Sequence, residues 1–97
     1  MMRITRQSNG ETITLKIEGC LTGEWVGEME RCWNEVKNND PLRVIRIDLN
    51  GVTLIDAAGK ELLERMLASG VVAVAGNVMT KAVVEQIKGN LWGFKKI

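Results

Sequence analysis

The sequence predicts an α/β fold: one mixed β-sheet, helices packed mainly on one face, element order ββαβαβα. Three observations carry that reading. Short stretches rich in β-branched residues alternate with longer ones whose apolar residues recur at three- and four-residue steps. The first two strand-like stretches are separated only by a turn, so they pair as an antiparallel hairpin. The later ones are separated by whole helices, which favours parallel pairing through right-handed crossovers. The 97 residues fit one domain spanning 1–97 with a modest core.

Met1 to Gln7 and Thr12 to Glu18 are the hairpin strands, around Ser8-Asn9-Gly10-Glu11. Ile13, Leu15 and Ile17 alternate with Thr14, Lys16 and Glu18, the pattern of a strand with one wet face. Asn9-Gly10 tolerates the positive φ of a tight turn. A helix from Glu24 to Asn38 follows, with Thr22 read as its cap. Trp25, Val26, Met29, Cys32, Trp33 and Val36 make its apolar stripe, and charged residues take the other side. Asn38-Asn39-Asp40-Pro41 ends it, because a proline biases the preceding residue away from helical angles.

Val44 to Leu49 is the central strand, bounded by Pro41 and by Asn50-Gly51. From Ala57 the period changes, and Ala58, Leu62, Leu63, Met66 and Leu67 share a helix face that Gly70 brings to an end. Asp56 stands between the two patterns, where a short carboxylate accepts bonds from a helix's unpaired first N–H groups. Strand, loop and an exposed helix start therefore meet there, which makes it the expected place of action. Val71 to Ala75 is short and continuously apolar, the mark of a strand covered on both faces. After a turn at Gly76-Asn77, a helix from Met79 to Lys88 carries Ala82, Val83 and Ile87. Gly89-Asn90 is expected to stop it. Leu91 to Ile97 reads either as a last short strand or as a packed tail holding Trp92 and Phe94.

Composition narrows the function. Thirteen basic against twelve acidic residues leave a net charge of +1, no footprint for nucleic acid or an anionic membrane. No stretch approaches the roughly 20 apolar residues of a membrane span, and no cleavage signal opens the chain, so a cytoplasmic location is the default. Cys20 and Cys32 are too few for a disulfide scaffold and lack metal-type spacing. Histidine is absent, and with it the commonest acid–base group and transition-metal ligand.

Enzyme readings fail on the residues. Gly59-Lys60 resembles the end of a phosphate loop, but Leu54 stands where the first glycine is required and Asp56 would repel a phosphate. No base or hydroxyl lies within Asp56-Ala57-Ala58-Gly59 for nucleophilic catalysis. Asp48 and Asp56 form a conceivable carboxylate pair, yet such residues ordinarily end a strand and cap a helix. Neither a catalytic residue, a metal site nor a cofactor is expected.

The run Asp48-Leu49-Asn50-Gly51-Val52-Thr53-Leu54-Ile55-Asp56-Ala57-Ala58-Gly59-Lys60 resembles the signature of the STAS domain (sulfate transporter and anti-sigma-factor antagonist). That signature reads Asp-Leu-Ser-x-Val-x-x-Ile-Asp-Ser-Ser-Gly before a leucine-rich helix. The opening hairpin, the Gly19-Cys20-Leu21-Thr22 approach and the strand–helix pair from Val71 to Lys88 extend the resemblance over nearly the whole chain. It implies a module that binds a protein partner, an anti-sigma-type kinase or another switch protein. In anti-sigma antagonists the serine just before the loop glycine is phosphorylated by the kinase. Here that position is Ala58, and its neighbour is Ala57, so the usual off switch is absent. The Asp-x-Ala-Gly form is also similar to STAS subunits of lipid-trafficking ABC transporters, which bind an ATPase.

The expected partner-binding residues are Asp56, Ala57, Ala58, Gly59, Lys60 and Glu61. The Val52 to Ile55 loop lies beside them, and Lys60, Glu61, Glu64 and Arg65 form a polar rim. A homodimer is left open. The rival reading is a small-ligand or nucleotide sensor using the same helix N-terminus, where backbone N–H groups favour anions.

Overall fold

A computed structural model of the chain describes residues 1–92, with side chains through Asn90. β1 (Met2–Asn9) and β2 (Thr12–Leu21) pair antiparallel, with Asn9 opposite Thr12. Gly10 and Glu11 are therefore the two-residue loop, one position later than the sequence reading placed it. Gly10 has φ 60° and Glu11 does not have a positive φ, the glycine-first pattern of a type II′ turn.

The sheet order is β1-β2-β3-β4, with β2, β3 and β4 parallel to one another. α1 (Glu24–Asn39) joins β2 to β3 (Val44–Ile55), and α2 (Ala57–Ala68) joins β3 to β4 (Val72–Val74). α3 (Val78–Trp92) follows. Ile13 and Leu15 of β2 lie opposite Ile45 and Ile47 of β3, and these four belong to the buried core. Met29, Trp33 and Val36 of α1, Leu62, Leu63 and Met66 of α2, and Val84 and Ile87 of α3 complete it. The helices thus cover one face of the sheet, as expected. The opposite face carries Arg3, Lys16 and Arg46, of which Arg3 and Arg46 are exposed.

β3 is longer than the sequence suggested, because Asn50-Gly51 is absorbed as a bulge instead of ending the strand. Between the Lys16–Asp48 and Leu21–Ile55 pairs, β2 advances five residues while β3 advances seven. Asp48 Oδ1 accepts the Asn50 N–H at 2.9 Å and holds the first irregularity in place. Residues 52–55 are therefore strand and not loop. Val52 points into the core and Leu54 outward, with 56% of its surface exposed.

β4 also departs from expectation. It is a three-residue edge strand, and Val72 is 45% exposed, so it is not covered on both faces. Its approach from α2 is a Schellman motif: Gly70 at φ 97° lets Val71 N–H reach Met66 O and Gly70 N–H reach Leu67 O. α3 continues through Gly89-Asn90 to Trp92. A glycine inside a helix costs only about 1 kcal/mol relative to alanine, too little to break a helix already anchored by Val84 and Ile87. Leu91 and Trp92 accordingly begin no strand, and Gly93 to Ile97, including Phe94, lies outside the described residues.

Candidate functional site

The start of α2 is assembled by one carboxylate. Asp56 is extended (φ −91°, ψ −177°) and caps the helix, its Oδ1 accepting Gly59 N–H at 2.8 Å. Its Oδ2 accepts Gly23 N–H, also at 2.8 Å. Gly23, with φ 53°, is the residue before α1, so Asp56 serves the N-terminal ends of two helices at once. Thr22 is not the α1 cap: no side chain caps that helix, and the Asp56 carboxylate reaches only the N–H of Gly23, the residue before its first turn. The Gly23 bond first, and the Gly59 bond after it, hold the Asp56 carboxyl below the usual aspartate range.

Gly59 is buried because α2 starts close against the end of β2. A Cβ there would collide with the Leu21 carbonyl oxygen and lie 3.1 Å from Ile55 Cγ2. Its burial explains why Ala57 and Ala58 lie on the outer side of the first turn, both exposed, with Ala58 off the buried face on which its spacing from Leu62 placed it. Glu61 is exposed, and Lys60 is half-buried with its Nζ donating to Gln86 Oε1 of α3 at 2.6 Å. Asp56, Ala57, Ala58, Gly59, Lys60 and Glu61 thus form one continuous helix start. Gly59 serves it from beneath, not as surface. Farther along α2, Arg65 donates to Glu30 of α1 through its two terminal guanidinium nitrogens at 2.8 and 3.3 Å. That pairing lowers the Glu30 pKa and raises that of Arg65.

Two residues of this end, Asn77 and Val78, escaped the sequence reading. Asn77 was read only as part of a turn, yet its Oδ1 accepts Thr80 N–H at 2.8 Å and the Thr80 hydroxyl at 2.9 Å. Its Nδ2 donates to Asn50 O and Val52 O at 3.3 and 3.2 Å, which fastens the start of α3 to the β3 bulge. An asparagine followed three residues later by threonine, just before an apolar helix, was the available signal. Leu54 was expected beside the docking residues within Val52 to Ile55, and Val78 is the other residue that was not. They lie 56% and 87% exposed at the C-terminal end of β3 and the N-terminal end of α3. Their exposure depends on the bulge and the helix boundary, which no local pattern announces.

The conceivable carboxylate pair is not brought together as a reacting pair. Seven residues of strand separate Asp48 from Asp56, and each carboxylate is engaged by backbone N–H groups near its own end of that stretch. Among the described residues no cluster of three or more His, Cys, Asp or Glu side chains is placed to hold a metal. Cys20 Sγ lies 3.9 Å from Thr53 Oγ1, and the half-buried Cys32 thiol has its pKa raised, chiefly by burial. No described helix is long and apolar enough to cross a membrane.

An anti-sigma factor antagonist from Mycobacterium paratuberculosis superimposes on this chain with a TM-score of 0.74 at 17% identity, over 99% of this chain and 81% of that one. The chain has a STAS-like fold. The anti-sigma factor antagonist SpoIIAA in its unphosphorylated form gives a TM-score of 0.57 at 13% identity, over 92% of this chain and 99% of that one. Mglu gives 0.58 at 18% identity, over 75% of this chain and 19% of Mglu. No family model and no curated protein sequence matches the chain. The STAS-like likeness is therefore carried by the fold, with the element order ββαβαβα that the sequence predicted.

Proposed function

We propose that this STAS-like chain is a non-enzymatic interaction module of the anti-sigma-antagonist type, which docks a protein partner through the start of α2. The observation that carries the proposal is the exposure of Ala57 and Ala58 on a helix start held rigidly by Asp56. Small side chains let a partner's backbone approach closely. Leu54 and Val78 add apolar contact area at the same end, and Lys60, Glu61 and Glu64 supply a polar rim. The partner of this reading is an anti-sigma-type kinase or a comparable switch protein, met in the cytoplasm.

Ala58 occupies the place where the STAS signature carries a phosphoacceptor serine. Alanine has no oxygen to phosphorylate, so the contact is not released by that route. The small-ligand rival loses ground at this helix: an anion would compete with the carboxylate of Asp56, already seated on Gly23 and Gly59.

The test is titration of a purified anti-sigma-type kinase with the wild-type chain and with Ala58→Glu. Ala58 is exposed, so the substitution leaves the fold intact while placing an unpaired charge in the contact. Affinity should fall by about tenfold or more, the equivalent of about 1.4 kcal/mol. Unchanged affinity would place the docking surface elsewhere.

A further inference from the structure

β2, β3 and β4 run parallel, and sheets of parallel strands ordinarily carry cover on both sides. Here the helices take one side only. Leu15, Ile47 and Ala73, neighbours in the register, belong to the helix-covered core or pack on it. The residues alternating with them face the other way. They include Lys16 of β2, Val44, Arg46 and Asp48 of β3, and Val72 and Val74 of β4. None of these is buried, and Val44 and Val72 are 50% and 45% exposed.

The pattern on that face is its own complement. Val72 lies beside Arg46 and Val74 beside Asp48, so a cation and an anion two residues apart on β3 each have a valine for a neighbour. Among the described residues, Lys16, Arg46 and Asp48 take part in no ion pair. Asp48 gives Oδ1 to the Asn50 N–H and keeps Oδ2. Half a turn about an axis crossing the strands at Ile47 sets a second copy face to face with the first. Arg46 of each copy then lies over Asp48 of the other, and Val72 of each over Val74 of the other. Lys16 comes over the second copy's Thr14, which pairs with Arg46 in the register, so no like charges are opposed.

We propose that the uncovered sheet face is where two copies of this chain associate, sheet against sheet, through reciprocal Arg46–Asp48 pairs beside a valine contact. Sheets stacked this way cross at about 30°, which keeps the pairs nearest the axis together. The flat footprint is roughly 20 by 20 Å, from strands about 4.8 Å apart and about six residues at about 3.3 Å. That is the small end for a specific interface, so the association is weak and reversible. Ala57 and Ala58 belong to α2 on the other side of the sheet, so the pairing stands or falls independently of the docking reading.

Sedimentation velocity of the full chain from about 5 µM to about 1 mM tests the proposal. The average mass should rise with concentration from the 10.8 kDa of one chain toward that of two. Arg46→Glu should weaken the association about tenfold or more, because each reciprocal pair becomes a like-charge contact. Arg46 is exposed, so the variant keeps the fold, and Val72→Lys on the same face should act in the same direction. Lys81→Glu makes the same charge change at an exposed position of α3 and should leave the association as it is. A chain that stays monomeric to the top of the range would overturn the proposal and leave the face to a partner of another kind. Equal weakening by Arg46→Glu and Lys81→Glu would overturn it as well.

Discussion

Replacing Gly59 by alanine tests how the site is built, because the same change at Gly27 should act in the opposite direction. Both glycines lie inside helices, α2 and α1, where alanine is favoured by about 1 kcal/mol. A Cβ at Gly27 meets nothing within 4 Å, so Gly27→Ala should realise most of that gain. At Gly59 the new methyl would run into the Leu21 backbone carbonyl and press at 3.1 Å on Ile55 Cγ2 and Leu21 Cγ. A backbone oxygen cannot swing aside, so α2 must back away from β2. Overpacking of this kind costs about 3 kcal/mol at the upper end of its usual range. Subtracting the propensity gain leaves a net loss of about 2 kcal/mol. In a chain of 97 residues that lowers Tm by about 10 °C, while Gly27→Ala raises it by about 4 °C. Thermal unfolding followed by circular dichroism reads both. If Gly59→Ala stabilises the chain as Gly27→Ala does, close packing under the helix start is wrong.

Asp56→Ala should destabilise the chain at neutral pH, and its difference from wild type should shrink on acidification. The folded carboxyl has a lowered pKa, so its contribution is full above the usual aspartate value of about 3.9 and is lost as pH falls through the lower folded value. Urea unfolding midpoints across that range check it, and a gap that stays constant into strong acid would refute the cap. Asn77→Ala removes the α3 cap and both bonds to the β3 bulge, and should cost about 2 kcal/mol in urea unfolding. A loss below about 0.5 kcal/mol, the scale of an ordinary surface change, would show that Asn77 is not the fastening point. Incubated with an anti-sigma-type kinase and ATP, Ala58→Ser should gain one phosphate by intact mass while wild type gains none. Phosphate on the wild-type chain would contradict the reading of Ala58.

The fold was legible where one residue type leaves little choice. Alternation in Ile13, Leu15 and Ile17, helical spacing in Leu62, Leu63 and Met66, and Gly70 as a helix stop each specify local structure by themselves. Asp56 as a helix cap belongs with them. The failures share a cause, since each was decided by a distant partner. Asn50-Gly51 reads as a terminator, but β2 on one side and Asn77 on the other hold it in the sheet. Thr22 resembles a cap, but the carboxylate of Asp56, distant in sequence, reaches the Gly23 N–H. Gly89 resembles a stop, but the packing of Ile87 carries α3 past it. Val71 to Ala75 has the composition of a central strand and lies at the edge, because nothing pairs with β4 on its far side among the described residues. The exposed Leu54 and Val78 follow from these same long-range choices.

Hydrogen exchange of the whole chain, free and saturated with an anti-sigma-type kinase, tests the docking surface without altering a residue. New protection is expected at the amides of Ala57, Ala58 and Lys60, extending to Leu54 and Val78. Protection confined to the open sheet face around Arg3, Lys16 and Arg46, with none at the start of α2, would contradict it.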